Sequence, residues 1–156
     1  TGNVGDEAQA PLVDADQRRA VLRQLAANAQ HGAVASHDPA QVAMGANAIA
    51  RRLESIHDKG AMRSADVANI LNVRPETVSR WSTGKTLPHA ATEKQLLELE
   101  YILDRLADIY EPRDARMWLL SRQRVLEGKV PAEMIQQGQV DDVLAVVDRL
   151  LDGAYL

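Results

Sequence analysis

The chain has 156 residues, a net charge of −4, no cysteine and no phenylalanine. That length suffices for one domain or two small helical ones with a real core, and the missing cysteine excludes disulfides, thiolate metal sites and cysteine nucleophiles. An acidic balance argues against an indiscriminate nucleic-acid binder, and no apolar run approaches the ~20 residues of a membrane span. With no secretory signal visible, a cytoplasmic location is expected. Ala, Leu and Val dominate the apolar residues, which predicts an all-α fold of closely packed small side chains.

Residues 1–37 read as an N-terminal lead-in and one amphipathic helix. Thr1 to Leu12 carries Gly, Asn, Pro and acids with no period, as a disordered segment does. From Asp14 to Ala29, Val21, Leu22, Leu25 and Ala29 form one apolar stripe, with Arg18, Arg19 and Arg23 lying away from it as a solvated face. His31 and His37 fall in the following loop without metal-ligand spacing.

Residues 38–88 read as a helix-turn-helix DNA-binding domain. Asp38-Pro39 is a helix start, with an Asp cap, Pro in the first turn and Gln41 behind the cap. Val42, Ala46, Ile49, Leu53 and Ile56 mark a buried face down to Asp58, and Lys59-Gly60 is a stop signal. Ser64 is a candidate cap for a short helix whose Val67 and Leu71 share a face, with Ala68 small enough for a close crossing. Asn72 tolerates the left-handed turn required next, and Pro75 suits the first position of a second short helix. Val78 and Trp81 point back onto the first helix, leaving Arg74, Glu76, Thr77, Ser79 and Arg80 outward, with Thr83, Lys85 and Thr86 just beyond. Apolar residues lock such a pair, while polar and basic ones line a face suited to a major groove. Arg74, Glu76, Thr77, Ser79, Arg80, Thr83 and Lys85 are therefore the candidate DNA-binding residues.

Residues 89–112 read as a long connecting helix. Leu96, Leu99, Leu103, Leu106 and Tyr110 form a heptad-like seam, broadened by Leu97, Ile102 and Ile109. The seam fits either a core or a dimer interface, being too short to prove a coiled coil. Pro112 predicts its end at Glu111. In residues 113–156, Asp114 to Leu126 reads as one helix with Trp118 and Leu119 inside, followed by a turn at Gly128 and Pro131. A short helix stopped by Gly138 follows. Val140, Val143, Leu144, Val147, Leu150 and Leu151 then mark a last amphipathic helix, with Asp141 and Asp142 in its first turn and Gly153 at its end.

Between Arg51 and His89, seven basic residues stand against four acidic ones, a local +3 that leaves −7 elsewhere. Positive charge gathers where phosphate contacts need it, but the excess is small, so a homodimer is expected. No Ser-His-Asp spacing, Gly-rich phosphate loop, metal cluster or cofactor motif is present, and an enzyme is not expected.

The C-terminal stretch WLLSRQRVLEGKVPAEMIQQGQVDDVLAVVDRLLDGAY resembles the toxin-binding domain of Xre/ParS-type antitoxins. Its carrying residues are Trp118, Leu119, Leu126, Gly128, Pro131, Ile135, Gly138, Val143, Leu150, Gly153 and Tyr155, and the resemblance extends from about Ala40 to Leu156. Ser121-Arg122-Gln123-Arg124 replaces the Pro-Asn-like turn of many members, and the N-terminal helix has no counterpart in them. The resemblance implies a RES-domain toxin partner that consumes NAD+, blocked by the antitoxin, and repression of a shared operon at its operator DNA. It implies a toxin-binding domain at 113–156 and a toxin-facing set of Trp118, Arg122, Arg124, Asp152, Gly153, Tyr155 and Leu156. A tail just past a helix end can enter a pocket on another protein, with Tyr155 as a plug and Asp152 pairing with cations there. The alternative is a free-standing regulator whose C-terminal part only dimerises or senses a ligand. A helix-turn-helix kept only as scaffold is a third possibility, because Glu76 would face phosphates.

Overall fold

The computed structural model describes residues 16–24 and 38–153. Among them every regular element is a helix, apart from one antiparallel bridge between Gln123 and Lys129. A helical stretch at 16–24 (α1) is followed by α2 (Pro39–Gly60), α3 (Ser64–Leu71), α4 (Pro75–Ser82), α5 (Ala90–Leu106) and α6 (Pro112–Leu120). A 3₁₀ turn (Arg124–Leu126), α7 (Pro131–Gln136) and α8 (Val140–Gly153) complete it. None of these helices is long and apolar enough to cross a membrane.

Helix α2 begins as its sequence dictates, with Asp38 accepting the Ala40 N–H at 3.1 Å and Pro39 at the first position. Ala46, Ile49, Leu53 and Ile56 are buried along one face. Val42 departs from the expected stripe and is 46% exposed, within a first turn and a half, 38–44, that is exposed throughout. The helix stops at the Lys59-Gly60 signal. Gly60 is the last helical residue and is buried, and Ala61 takes the left-handed conformation that ends the helix (φ 48°).

Helix α5 is the central element. Its seam residues Leu96, Leu99, Leu103 and Leu106, with Ile102, are fully buried and pack among α2, α3 and α8. The seam is core, closed within the chain. Each such side chain contributes about 2 kcal/mol through removal from water. The helix ends at Leu106 rather than Glu111, with Tyr110 N–H donating to Leu106 O at 2.8 Å in a closing turn.

After Glu111 the expected single helix is two elements. α6 stops at Leu120, and the chain turns through residues 121–130 to fold back on it. Gln123 N–H donates to Lys129 O at 3.0 Å, while Glu127 and Gly128 both adopt positive φ to close the turn. α7 packs on α3, α6 and α8, and α8 lies on α5. Side chains from Ile49 to Leu151 form one continuous buried cluster that spans the boundaries at 88 and 112.

The basic face of α1, expected to be solvated, points at α8. Arg18 pairs with Asp148 at 2.5 Å and Arg19 with Asp141 at 3.8 Å, while Leu22 packs on the core and Val21 is 52% exposed. Acids of α8 hold these two arginines, and of the predicted stripe Leu22 meets the core while Val21 does not. The lead-in to Leu12, Leu25, Ala29, His31 and His37 lie outside the described residues.

Candidate functional site

The outward face of α3 and α4 is built by local backbone chemistry. Asn72 turns the chain in the left-handed conformation (φ 56°, ψ 45°), and its N–H reaches the Ala68 and Asn69 carbonyls. Pro75 opens α4, and Val78 and Trp81 are buried against α3, at 1% and 3% exposure. Ser64 is not the cap expected of it: it is the first helical residue of α3. The cap is supplied from the other direction, by Asp66, whose Oδ2 accepts the Arg63 N–H at 2.9 Å.

Arg74, the N-cap residue of α4, and Glu76, Ser79 and Arg80 are exposed, and Thr77 is half-buried. The end of α4 is closed by Gly84 (φ 74°), with Lys85 N–H donating to Arg80 O at 2.9 Å and Gly84 N–H to Trp81 O at 3.2 Å. That closure swings Lys85 outward beside the end of α4. Thr83 sits at the same corner, its hydroxyl 3.2 Å from both the Ser79 and Arg80 carbonyls, so it serves its own helix first. Arg51, Arg63, Arg74, Arg80 and Lys85 have no carboxylate within pairing distance among the described residues.

Two of the basic residues between Arg51 and His89 are neutralised across the fold. Arg52 is held by Glu100 at 2.8 Å and Lys59 by Asp104, both on α5. The acids that neutralise these cations lie elsewhere in the sequence, which a count along the chain cannot see. Asp104 also holds the Lys59 ammonium above its usual range, through their hydrogen bond. Beside α4, a cleft of about 360 Å³ opens between α2 and the start of α3, with Leu53, Val67 and Val78 in its walls and Glu54 and His57 among its polar groups. His57 is exposed near the end of α2, with Nδ1 3.0 Å from the Met62 carbonyl.

In the C-terminal set, Arg122 and Arg124 are exposed on the 121–130 turn, with the Arg122 guanidinium 3.4 Å from Gly128 O. Trp118 is 8% exposed, so its ring is core and offers little surface to a partner. Its carbonyl accepts the Gln123 side-chain N–H at 2.9 Å, which ties the turn to α6. Asp152 and Gly153 are exposed at the end of α8. Tyr155 and Leu156 lie outside the described residues.

One pair escaped sequence reasoning. The Arg116 guanidinium on α6 grips the Asp66 carboxylate on α3 through two bonds of 3.1 Å. Burial pushes the Asp66 carboxyl up, but Arg116 and the Arg63 N–H outweigh it and hold it below the usual range. Among the described residues no polar or charged residue is fully buried, and no three His, Cys, Asp or Glu side chains converge as metal ligands.

No family model matches the chain. The mycobacterial cidal antitoxin MbcA of Mycobacterium tuberculosis strain H37Rv is 29% identical over 113 residues, 72% of this chain and 100% of MbcA. The probable mycobacterial cidal antitoxin Rv3188 of the same strain is 30% identical over 91 residues, covering 58% of this chain and 77% of the relative. In the crystal structure of the M. tuberculosis MbcT–MbcA toxin–antitoxin complex, a chain 30% identical to this one superposes with a TM-score of 0.59, over 67% of this chain and 94% of that chain. These matches identify the class as antitoxins of toxin–antitoxin pairs. The chain belongs to the mycobacterial cidal antitoxin family, in keeping with the expectation that it is not an enzyme.

Proposed function

We propose that this antitoxin binds and blocks an NAD+-consuming RES-domain toxin, and represses its own operon through α3 and α4 acting as a helix-turn-helix of the Xre/ParS type. The observation that carries the toxin partner is the match to the MbcT–MbcA complex, at 30% identity over 94% of the matched chain. The partner face lies within residues 113–156: the exposed Arg122 and Arg124 of the turn, and Asp152, Gly153 and the residues Tyr155 and Leu156 beyond α8. Trp118 acts there from beneath, by fixing the turn through Gln123.

The DNA-binding half rests on the exposed cations Arg74, Arg80 and Lys85 around α4, which have no carboxylate partner among the described residues. Glu76, Thr77, Ser79 and Thr83 complete the operator-facing set, Glu76 as an acceptor for a cytosine amino group. Three cations make a weak phosphate grip, so two copies act together at paired half-sites. The α5 seam is closed within the chain, so the two copies meet through another surface.

Purification from the native host tests both halves. A stoichiometric companion that degrades NAD+ once released is expected, as is retention of the DNA preceding the gene. A chain that emerges alone as a dimer on that DNA would make it a free-standing regulator. A companion that leaves NAD+ intact would overturn the RES-domain assignment and keep the antitoxin.

A further inference from the structure

Asp66 is the third residue of α3, and Arg116 on α6 follows it by 50 positions. Its Oδ2 accepts both the Arg63 N–H at 2.9 Å and Arg116 Nε at 3.1 Å, while Oδ1 accepts Arg116 Nη2 at 3.1 Å. The pair is half withdrawn from water, with side-chain exposures of 33% for Arg116 and 17% for Asp66. A planar guanidinium fork on a carboxylate fixes an angle as well as a distance, which a lysine contact would not. Among the described residues it is the single ion pair joining α3 or α4 to anything beyond α5. α3 packs directly on α4, with Val67, Ala68 and Leu71 on one and Val78 and Trp81 on the other all buried, so α4 moves with it.

From this geometry we infer that Arg116 is a positioning residue for DNA binding: acting from outside the helix pair, it sets the angle at which α3 and α4 meet the duplex. The inference rests on the DNA-binding reading above. In a pair of this kind the first helix crosses the phosphate backbone while the second enters the groove, so a tilt of α3 displaces every contact of α4. A DNA-binding unit ending at Pro88 would lack this brace. Arg116 also makes α6 a shared element, since the same helix ends at the turn that bears Arg122 and Arg124.

The test uses the full chain and a duplex of the DNA preceding its gene, with binding measured across a salt titration. Arg116→Gln and Asp66→Asn should each weaken binding about tenfold, with the double variant no worse than either. The salt slope should stay at the parent value, whereas Arg80→Ala should lower it by about one. Asp66→Asn is the sharper arm, because it removes a negative charge near phosphates. Tighter binding by that variant would mean that Asp66 acts on DNA by charge alone, and would overturn the inference. So would parent affinity in Arg116→Gln, or a slope lowered by one, which would put Arg116 itself on a phosphate. Should Arg116→Gln fail to fold, Arg116→Lys keeps the charge without the fork and is expected to bind weakly at the parent slope; parent affinity there would overturn the inference. No binding by the unchanged chain would instead remove the DNA-binding reading, and this inference with it.

Discussion

Gly60, at the end of α2, lies so close to Leu103 on α5 that a β-carbon there would overlap both leucine methyl groups. Leu103 is fully buried, which leaves its side chain little room to swing away. Gly60→Ala should therefore destabilise the protein by about 1–2 kcal/mol, even though alanine is the better helix former. Urea denaturation would show it. Combining it with Leu103→Ala should cost less than the sum of the two single changes, since the second makes room for the first.

Ala61 supplies the left-handed turn after that glycine, at φ 48°. A side chain there is held against its own carbonyl, a strain that glycine does not have. Ala61→Gly should raise stability by about 0.5–1 kcal/mol.

Glu98 on α5 is 15% exposed, and burial pushes its carboxyl above the usual range despite Lys94 at 3.8 Å. A raised carboxyl holds its proton more tightly when folded. Its contribution to stability is therefore greatest below the ordinary carboxylate pKa, and is lost as pH rises through the folded value. Glu98→Gln should raise Tm at pH 7, and the gain should vanish near about pH 4. A gain that persisted at low pH would point to packing rather than to charge.

Asp66 carries the opposite sign. Held low by Arg116 and the Arg63 N–H against the cost of burial, it stabilises the fold above the ordinary carboxylate pKa. That contribution fades as pH falls through its depressed folded value. Asp66→Asn should cost about 1–2 kcal/mol at pH 7, a half-exposed bidentate pair being worth less than a buried one. Thermal melts of the variant and its parent should converge as the medium is made more acid.

Gln123 ties the 121–130 turn to α6 through the Trp118 carbonyl, and its backbone pairs with Lys129. Gln123→Ala should leave the global Tm nearly unchanged while loosening the turn that bears Arg122 and Arg124. Under the proposed partner reading, affinity for the toxin should fall several-fold, chiefly through a faster off-rate. Titration of the purified toxin by calorimetry would measure it.

Much of the architecture can be read directly from the chain. Asp38-Pro39, Asn72, Pro75, Gly128 and Gly138 act through their own backbone preferences, so they mark helix starts and turns whatever surrounds them. The 3.6-residue period of Ile49, Leu53 and Ile56, and the seam of Leu96 to Leu106, likewise announce buried helix faces. Tertiary structure alone decided what those faces meet. It closed the α5 seam within the chain, turned Arg18 and Arg19 toward α8, and left Val42 at the surface. Gly60, which has the sequence mark of a stop, became a point of close helix contact. The charged partners Arg52–Glu100, Lys59–Asp104 and Arg116–Asp66 were likewise hidden, because each joins residues some 45 to 50 positions apart. Local propensity acts over a few residues, whereas packing and ion pairing depend on distances in space that only the folded chain sets.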